Sequence, residues 1–312
     1  MLVSQNIAIK EMKPFDLQRK IVSFMTSSSW KEVPLVSYLY EPDVTDFYEE
    51  YLKLSNSRKK STEAQKITFN TLLLKTLIEG LLASPELNSL LEYSHKTVNG
   101  RLYICDDINI SLPWMLADGR MITPIIAKAN KMSLDGISMA ISIMKQRIDQ
   151  TNIDELFYSS ALSDTLSKVK RLDPAMFARI YSVVFGRQKM VHLKGAAKKQ
   201  YYSVSADSHL TEKDLMDGTV TISNIGSLYR EQHGAFSLLE VLPPQVFAIG
   251  VSAVQEKPGV FVDGDGNKQI GIRKFLPFCL AFDHRAVDFD VLIPFLKRLD
   301  GIFTHPVEIQ KW

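Results

Sequence analysis

The sequence is short of the features that would place it in several large classes of protein. Among 312 residues there are only 2 cysteines, Cys105 and Cys279. Both stand in apolar, strand-like runs and read as buried small hydrophobes rather than a disulfide. Neither sign of charge is in excess, since 37 basic side chains face 35 acidic ones for a net of +2. That balance supplies no protein-wide field for nucleic acid or an anionic membrane. No run approaches the roughly 18 apolar residues that a transmembrane helix needs. Residues 1–12 alternate apolar and polar and lack the apolar stretch of a secretion signal. Walker A and Gly-x-Gly-x-x-Gly loops, internal repeats and low-complexity tracts are missing. The 6 histidines show no metal-ligand spacing, so no metal is expected. A soluble, cytoplasmic protein without nucleic-acid partner or transmembrane segment follows. Its 46% apolar residues suffice for a core that needs no staple.

Helical spacing marks residues 14–28, behind Asp16 as a candidate N-cap. Residues 33–42 read as a strand closed by Pro42. Asp43 opens a second helix that runs through Leu54, and the polar run from Ser55 to Gln65 reads as a surface loop. Residues 67–83 suit a buried helix, and 101–127 hold three short β-rich runs around a turn at Ala117–Arg120. Ser133 caps a helix from Leu134 to about Ile148. Strand-like runs return at 219–225, 246–252, 259–262 and 275–282, with Asp263-Gly-Asp-Gly-Asn as a hairpin turn. A last helix spans 288–303. Helices and strands interleave without regular βα alternation, which favours an α/β fold with a mixed sheet. Residues 150–205 break the pattern with Arg171-Leu-Asp-Pro, an apolar helix candidate over Met176–Phe185, and a basic stretch holding Arg187, Lys189, Lys194, Lys198 and Lys199.

Two segments carry candidate chemistry. His284 follows the apolar strand Leu276–Phe282 and precedes a helix, and strand ends deliver side chains into clefts from rigid support. Asp283 and Arg285 flank it, and Asp288 stands four residues on. A general base needs its imidazole held in one tautomer, and such a carboxylate can supply the hold. The same residues could equally form a surface loop of ion pairs. In Gly218-Thr-Val-Thr-Ile-Ser-Asn-Ile-Gly, one strand face is all hydroxyl and ends at Ser223-Asn224. That face is either a solvated edge or a donor to a developing oxyanion. No Gly-x-Ser-x-Gly elbow surrounds Ser223, which disfavours a hydrolase nucleophile.

These segments resemble the catalytic domain of the dihydrolipoamide acyltransferases of 2-oxoacid dehydrogenase complexes, whose fold is that of chloramphenicol acetyltransferase. The similarity runs in order through Arg19-Lys-Ile-Val-Ser-Phe-Met, Val33-Pro-Leu-Val, Glu41-Pro-Asp-Val-Thr, Ile67-Thr-Phe and Ser84-Pro-Glu-Leu-Asn-Ser-Leu-Leu. It continues through Asp118-Gly-Arg-Met-Ile-Thr-Pro, Lys131-Met-Ser-Leu, Gly218–Gly226, Pro243-Pro-Gln-Val-Phe-Ala-Ile-Gly-Val and Phe282-Asp-His-Arg-Ala-Val-Asp. The resemblance implies a single acyltransferase catalytic domain over 1–312 with a mixed sheet flanked by helices. It implies a homotrimer, or an assembly of trimers, with the active site between subunits. His284 then matches the general base, Ser223 the oxyanion donor with Asn224 beside it, and Asp288 the brace of the histidine turn. Arg19 matches a basic position that pairs with Asp288. Coenzyme A thioester is the implied co-substrate, and no covalently bound cofactor is implied.

Three departures bear on function. Phe289 stands where the family has glycine and would close or reshape space near the base. No lipoyl domain or lipoyl attachment site precedes residue 14. Residues 150–205 read as an insertion, with roles ranging from a structural lid to a surface for coenzyme phosphates, a carrier protein or a membrane. Together they favour a free-standing enzyme that moves an acyl group from coenzyme A or an acyl-carrier protein to a small thiol, amine or hydroxyl acceptor. The alternatives are an inactive scaffold of the same fold, or a complex component acting with a separate lipoyl protein. A condensation-type enzyme shares the His-x-x-x-Asp spacing, but this chain lacks its duplicated halves.

Overall fold

The computed structural model describes residues 7–59, 65–160 and 192–312. Its centre is a six-stranded mixed sheet built from β1 (Leu35–Tyr40), β4 (Ile110–Ser111), β7 (Ile125–Ile126), β8 (Val220–Asn224), β9 (Phe247–Val251) and β12 (Phe278–Asp283). Across the sheet these run β1, β12, β9, β8, β4, β7. The β8 strand is parallel to both β9 and β4, and the other pairings are antiparallel. Every residue of β9 and β12 is buried, as their unbroken apolar sequences require of central strands covered on both faces. On β8 the side chains alternate, with Val220 and Ile222 buried and Thr221 and Ser223 half-buried.

Helices α1 (Leu17–Glu32), α2 (Thr45–Lys59), α3 (Phe69–Ala83) and α4 (Leu134–Gln150) come from the first half of the chain. Residues 153–160 form a fifth helix, followed by α6 (Gly195–Ser203) and α7 (Phe289–Thr304). The main core lies where α3 and α7 cover the sheet. Leu292, Phe295, Leu299, Ile302 and Phe303 of α7 are buried at helical spacing, against Leu72, Leu77 and Leu81 of α3. The two helices cross closely at Gly80, where an added Cβ would lie 2.7 Å from the Phe295 ring. Three two-stranded ribbons flank the sheet. They are β2 (Ser89–Ser94) with β3 (Asn99–Ile104), β5 (Trp114–Met115) with β6 (Met121–Ile122), and β10 (Gln255–Val262) with β11 (Lys268–Phe275).

Several sequence expectations change in detail. The run Ser55–Gln65, read as a loop, continues α2 to Lys59, because its polarity reflects solvent exposure of the last turn rather than loss of helix. The β-rich stretch 101–127 divides into β3 to β7, and the partner of β3, strand β2, begins inside Ser84-Pro-Glu-Leu-Asn-Ser-Leu-Leu and runs on to Ser94. Asp263 closes the β10–β11 hairpin by accepting the Asp265 and Asn267 N–H groups. Cys279 is buried but Cys105 is only partly so, and both are free thiols. Cys105 ends an edge ribbon and not a core strand. The Met176–Phe185 helix candidate, with Arg171, Arg187 and Lys189, lies outside the described residues. The two described parts of this stretch, 150–160 and 192–205, are tied together by Glu155, whose side chain is 1% exposed. Its carboxylate accepts from Leu193 N–H and the Tyr202 hydroxyl, and pairs with Lys198 at 3.2 Å.

Candidate active site

The last residue of β12 is a carboxylate at the end of an apolar strand. Asp283 has a side chain only 2% exposed, a position that is tolerated only with a charged partner. Arg285 supplies it, donating from Nε to Oδ1 at 3.0 Å and from Nη2 to Oδ2 at 2.6 Å. The Asp283 carboxylate holds the Arg285 guanidinium above its ordinary range, and the attractions of Tyr93 and Glu32 act in the same direction. The Asp283 carbonyl accepts the Ala286 and Val287 N–H groups at 2.9 and 3.2 Å. A tight turn over 283–287 results, and it lifts His284 clear of the strand.

The imidazole is then fixed from two sides. Its backbone N–H donates to the Pro34 carbonyl at 3.1 Å. Its Nδ1 lies 3.3 Å from the Val287 carbonyl and 3.0 Å from Asp288 Oδ1. A carbonyl can only accept, so the hydrogen of the neutral imidazole belongs on Nδ1, which leaves the lone pair on Nε2. Asp288 stands at the N-cap of α7 but makes no side-chain cap bond. Its carboxylate faces the histidine instead of the orphan N–H groups of the helix. In the single chain the His284 and Asp288 side chains are 51% and 75% exposed, so this face of the turn is open. Phe289, the first residue of α7, is 43% exposed and meets Tyr38 of β1 edge-on, with ring centroids 5.1 Å apart.

Ser223 is not part of this cluster. It lies beside Gly250 on β9, and Gly250 lies beside Cys279 on β12. His284 follows Cys279 by five residues, or about 17 Å along an extended strand. Two strand spacings add about 9.6 Å sideways, for a separation near 19 Å. The serine is thus at one end of the sheet and the histidine at the other. Its hydroxyl makes no hydrogen bond among the described residues.

Local structure holds the serine end firmly. Asn224 donates from Nδ2 to Asn70 Oδ1 at 2.8 Å, and its Oδ1 accepts the Ser227 N–H. Gly226 packs so closely that a Cβ there would meet the Ser252 carbonyl at 2.4 Å. Arg19 does not reach Asp288 within the chain. Its backbone N–H donates to the Asp16 cap, and Asp288 pairs with His284 instead. The expected Arg19–Asp288 pair is therefore not made within one subunit: Arg19 stands in the first turn of α1, whereas the histidine turn meets the chain just past the other end of that helix, at Pro34.

The structure brings His284 and Asp288 into contact, and it adds the Asp283–Arg285 pair, which the sequence had not singled out. The sequence held half of the signal, an acid closing an apolar strand with an arginine two residues on; the burial that demands the pairing is a property of the fold. Among the described residues no group of three or more His, Cys, Asp or Glu side chains is arranged to hold a metal.

Comparison with known proteins gives a consistent picture. A family model described as 2-oxoacid dehydrogenases acyltransferase (catalytic domain) matches residues 8–156 and 187–310. A lipoamide acyltransferase component of the branched-chain alpha-keto acid dehydrogenase complex from Bacillus subtilis is 24% identical over 94% of this chain and 52% of its own length. A dihydrolipoyllysine-residue acetyltransferase component of the pyruvate dehydrogenase complex from Mycobacterium bovis is 39% identical over 80 residues, 26% of this chain and 14% of its own. The chain thus spans about half the length, or less, of these curated relatives. Among solved structures, the cubic core of a pyruvate dehydrogenase multienzyme complex aligns with a TM-score of 0.63 at 20% identity, covering 98% of this chain and 96% of that one. The Azotobacter vinelandii dihydrolipoamide acetyltransferase, studied for the roles of a serine, a histidine and an asparagine in its mechanism, aligns at 0.61 and 21% identity over 98% and 96%.

Proposed function

The chain belongs to the family of 2-oxoacid dehydrogenase acyltransferase catalytic domains, and on that premise we propose that it transfers an acyl group from a thioester donor, coenzyme A or carrier-bound, to a small thiol, amine or hydroxyl acceptor. The observation that carries this reading is the fixed imidazole. With Nδ1–H turned toward Val287 and Asp288, His284 presents Nε2 as a base toward the open face of the turn. Nε2 takes the proton of an acceptor thiol. The resulting thiolate attacks the carbonyl carbon of the donor thioester, and the electron pair of the C=O bond moves to oxygen. Ser223 Oγ–H from a neighbouring subunit donates to that oxyanion, a contribution of about 3 kcal/mol. Collapse restores the carbonyl and expels the donor thiolate, which recovers the proton from the imidazolium. Asp288 stabilises the imidazolium while it exists.

A separation near 19 Å within one chain supports a homotrimer in which each site takes its histidine from one copy and its serine from the next. No helix among the described residues is long and apolar enough to cross a membrane. The names of the relatives, which are components of dehydrogenase complexes, favour a second reading in which a separate lipoyl protein is the acyl partner. A panel assay separates the two. The purified chain is incubated with acetyl-, isobutyryl- and succinyl-coenzyme A, each against dihydrolipoamide, a small amine or a lipoylated domain, with product followed by mass spectrometry. Acyl product on a free acceptor supports the first reading, product on the lipoylated domain alone supports the second, and no product with any pair overturns both.

A further inference from the structure

The histidine turn leans on a second element that the chemistry above does not use. Ribbon β2–β3 is joined to the main sheet near the start of β2, where Leu90 bridges to Gln245 and Leu91 N–H donates to the Pro244 carbonyl at 2.7 Å. Its far end reaches the Asp283–Arg285 pair. The Arg285 guanidinium sits over the Tyr93 ring, 5.0 Å from the centroid. Its Nη1 lies 3.5 Å from His95 Nε2 in the turn between β2 and β3. The Tyr93 and His95 rings meet edge-to-face at 5.0 Å and 86°. A guanidinium committed to Asp283 on one side is therefore covered by an aromatic face on another.

We infer that Tyr93, supported by His95, is a positioning residue for His284, acting through Arg285; this rests on the reading of His284 as the base. The connection is continuous. Tyr93 fixes the Arg285 plane, and Arg285 fixes the Asp283 carboxylate through two donors. The Asp283 carboxylate also accepts the Arg285 N–H at 3.0 Å, the Asp283 backbone carbonyl accepts the Ala286 and Val287 N–H groups, and Val287 in turn presents the carbonyl that faces His284 Nδ1. A guanidinium free to swing would loosen the turn whose geometry selects the tautomer. Tyr93 touches neither His284 nor Asp288, so its effect belongs to the rate of the chemical step and not to substrate binding.

The test compares Tyr93→Leu with Tyr93→Phe in the full-length assembly. Leucine removes the π face, whereas phenylalanine keeps it. Tyr93→Leu is expected to lower kcat about fivefold, the rate equivalent of one partly exposed cation–π contact, with KM unchanged. Tyr93→Phe is expected to retain wild-type kcat. Hydrogen–deuterium exchange of the peptide spanning 283–289 gives a second readout that needs no activity. Its protected Ala286 and Val287 amides are expected to exchange faster in Tyr93→Leu and at the wild-type rate in Tyr93→Phe. If acyl transfer is undetectable in the wild type, the exchange data still decide the bracing role. Faster exchange confined to 89–104, with 283–289 unchanged, would show that Tyr93 serves only its own ribbon and would overturn the inference. Should Tyr93→Leu fail to assemble, His95→Ala replaces it, with the same peptide read and a smaller increase expected.

Discussion

Mixing two inactive variants tests whether the site is shared. His284→Ala removes the proposed base and Ser223→Ala the proposed oxyanion donor. Each is expected to be severely impaired alone, the serine variant by about 10²–10³ in kcat. In one chain the two residues lie near opposite ends of the sheet, about 19 Å apart by strand rise and spacing. That is far beyond the near-attack contact of about 3–3.5 Å that one reacting centre allows. A site of the proposed kind would therefore join a histidine from one copy to a serine from another. When the variants are refolded or co-expressed in equal amounts, an interface receives an intact histidine half the time and an intact serine half the time. About a quarter of the interfaces then carry both, so the mixture should recover about a quarter of wild-type activity per chain. The assay is coenzyme A release from an acyl donor in the presence of acceptor, on assemblies checked by light scattering. Activity no higher than the mean of the two parents would refute the shared site, as would a stable, active monomer.

Other perturbations test separate parts of the account. Asp288→Ala is expected to lower kcat by about 10²-fold while Asp288→Asn loses less, because the amide oxygen still accepts from Nδ1 and the Val287 carbonyl remains; a crystal structure of Asp288→Ala with an unmoved imidazole would contradict this. Phe289→Gly breaks the edge-on contact with Tyr38, so thermal unfolding should show a loss of about 0.5–1.5 kcal/mol, and bulkier acceptors should gain in kcat/KM relative to small ones. For Asp214, burial pushes the carboxyl up, but bonds from Arg147 and from the Thr211 N–H and hydroxyl outweigh it and hold the group below the ordinary carboxylate range. A lowered native value means stability that is present above about pH 4 and lost as pH falls through that lowered value. Asp214→Asn should therefore cost about 1.5–3 kcal/mol in urea unfolding at pH 7, and the difference should shrink in acid.

The fold was legible wherever one residue pattern admitted one solution. The apolar runs at 246–252 and 275–282 read as strands and form central ones covered on both faces, and the Asp-Gly-Asp-Gly turn reads as the hairpin it forms. Helix ends were less legible: the last turn of α2 is polar because water faces it, and polarity alone resembles a loop. The short strands of 101–127 escaped because two-residue pairings leave no period to read. At the site, His284 and Asp288 were legible because four residues bring them together through one local turn. Asp283 with Arg285 needed knowledge that the acid is buried, and His95, with Tyr93 beside it, comes from 190 residues away. Ser223 illustrates the remaining gap. Its strand was read correctly, but its place at the other end of the sheet depends on the order β12, β9, β8, which no local pattern encodes.

The central claim is that a histidine held in one tautomer moves an acyl group. It is tested most directly by kcat for coenzyme A release from an acyl donor, measured side by side for wild type and His284→Ala with the best acceptor of the panel. The account requires release by the wild type and a loss of about 10²–10⁴ in the variant, with assembly and thermal stability intact. Equal turnover by the two proteins would contradict it.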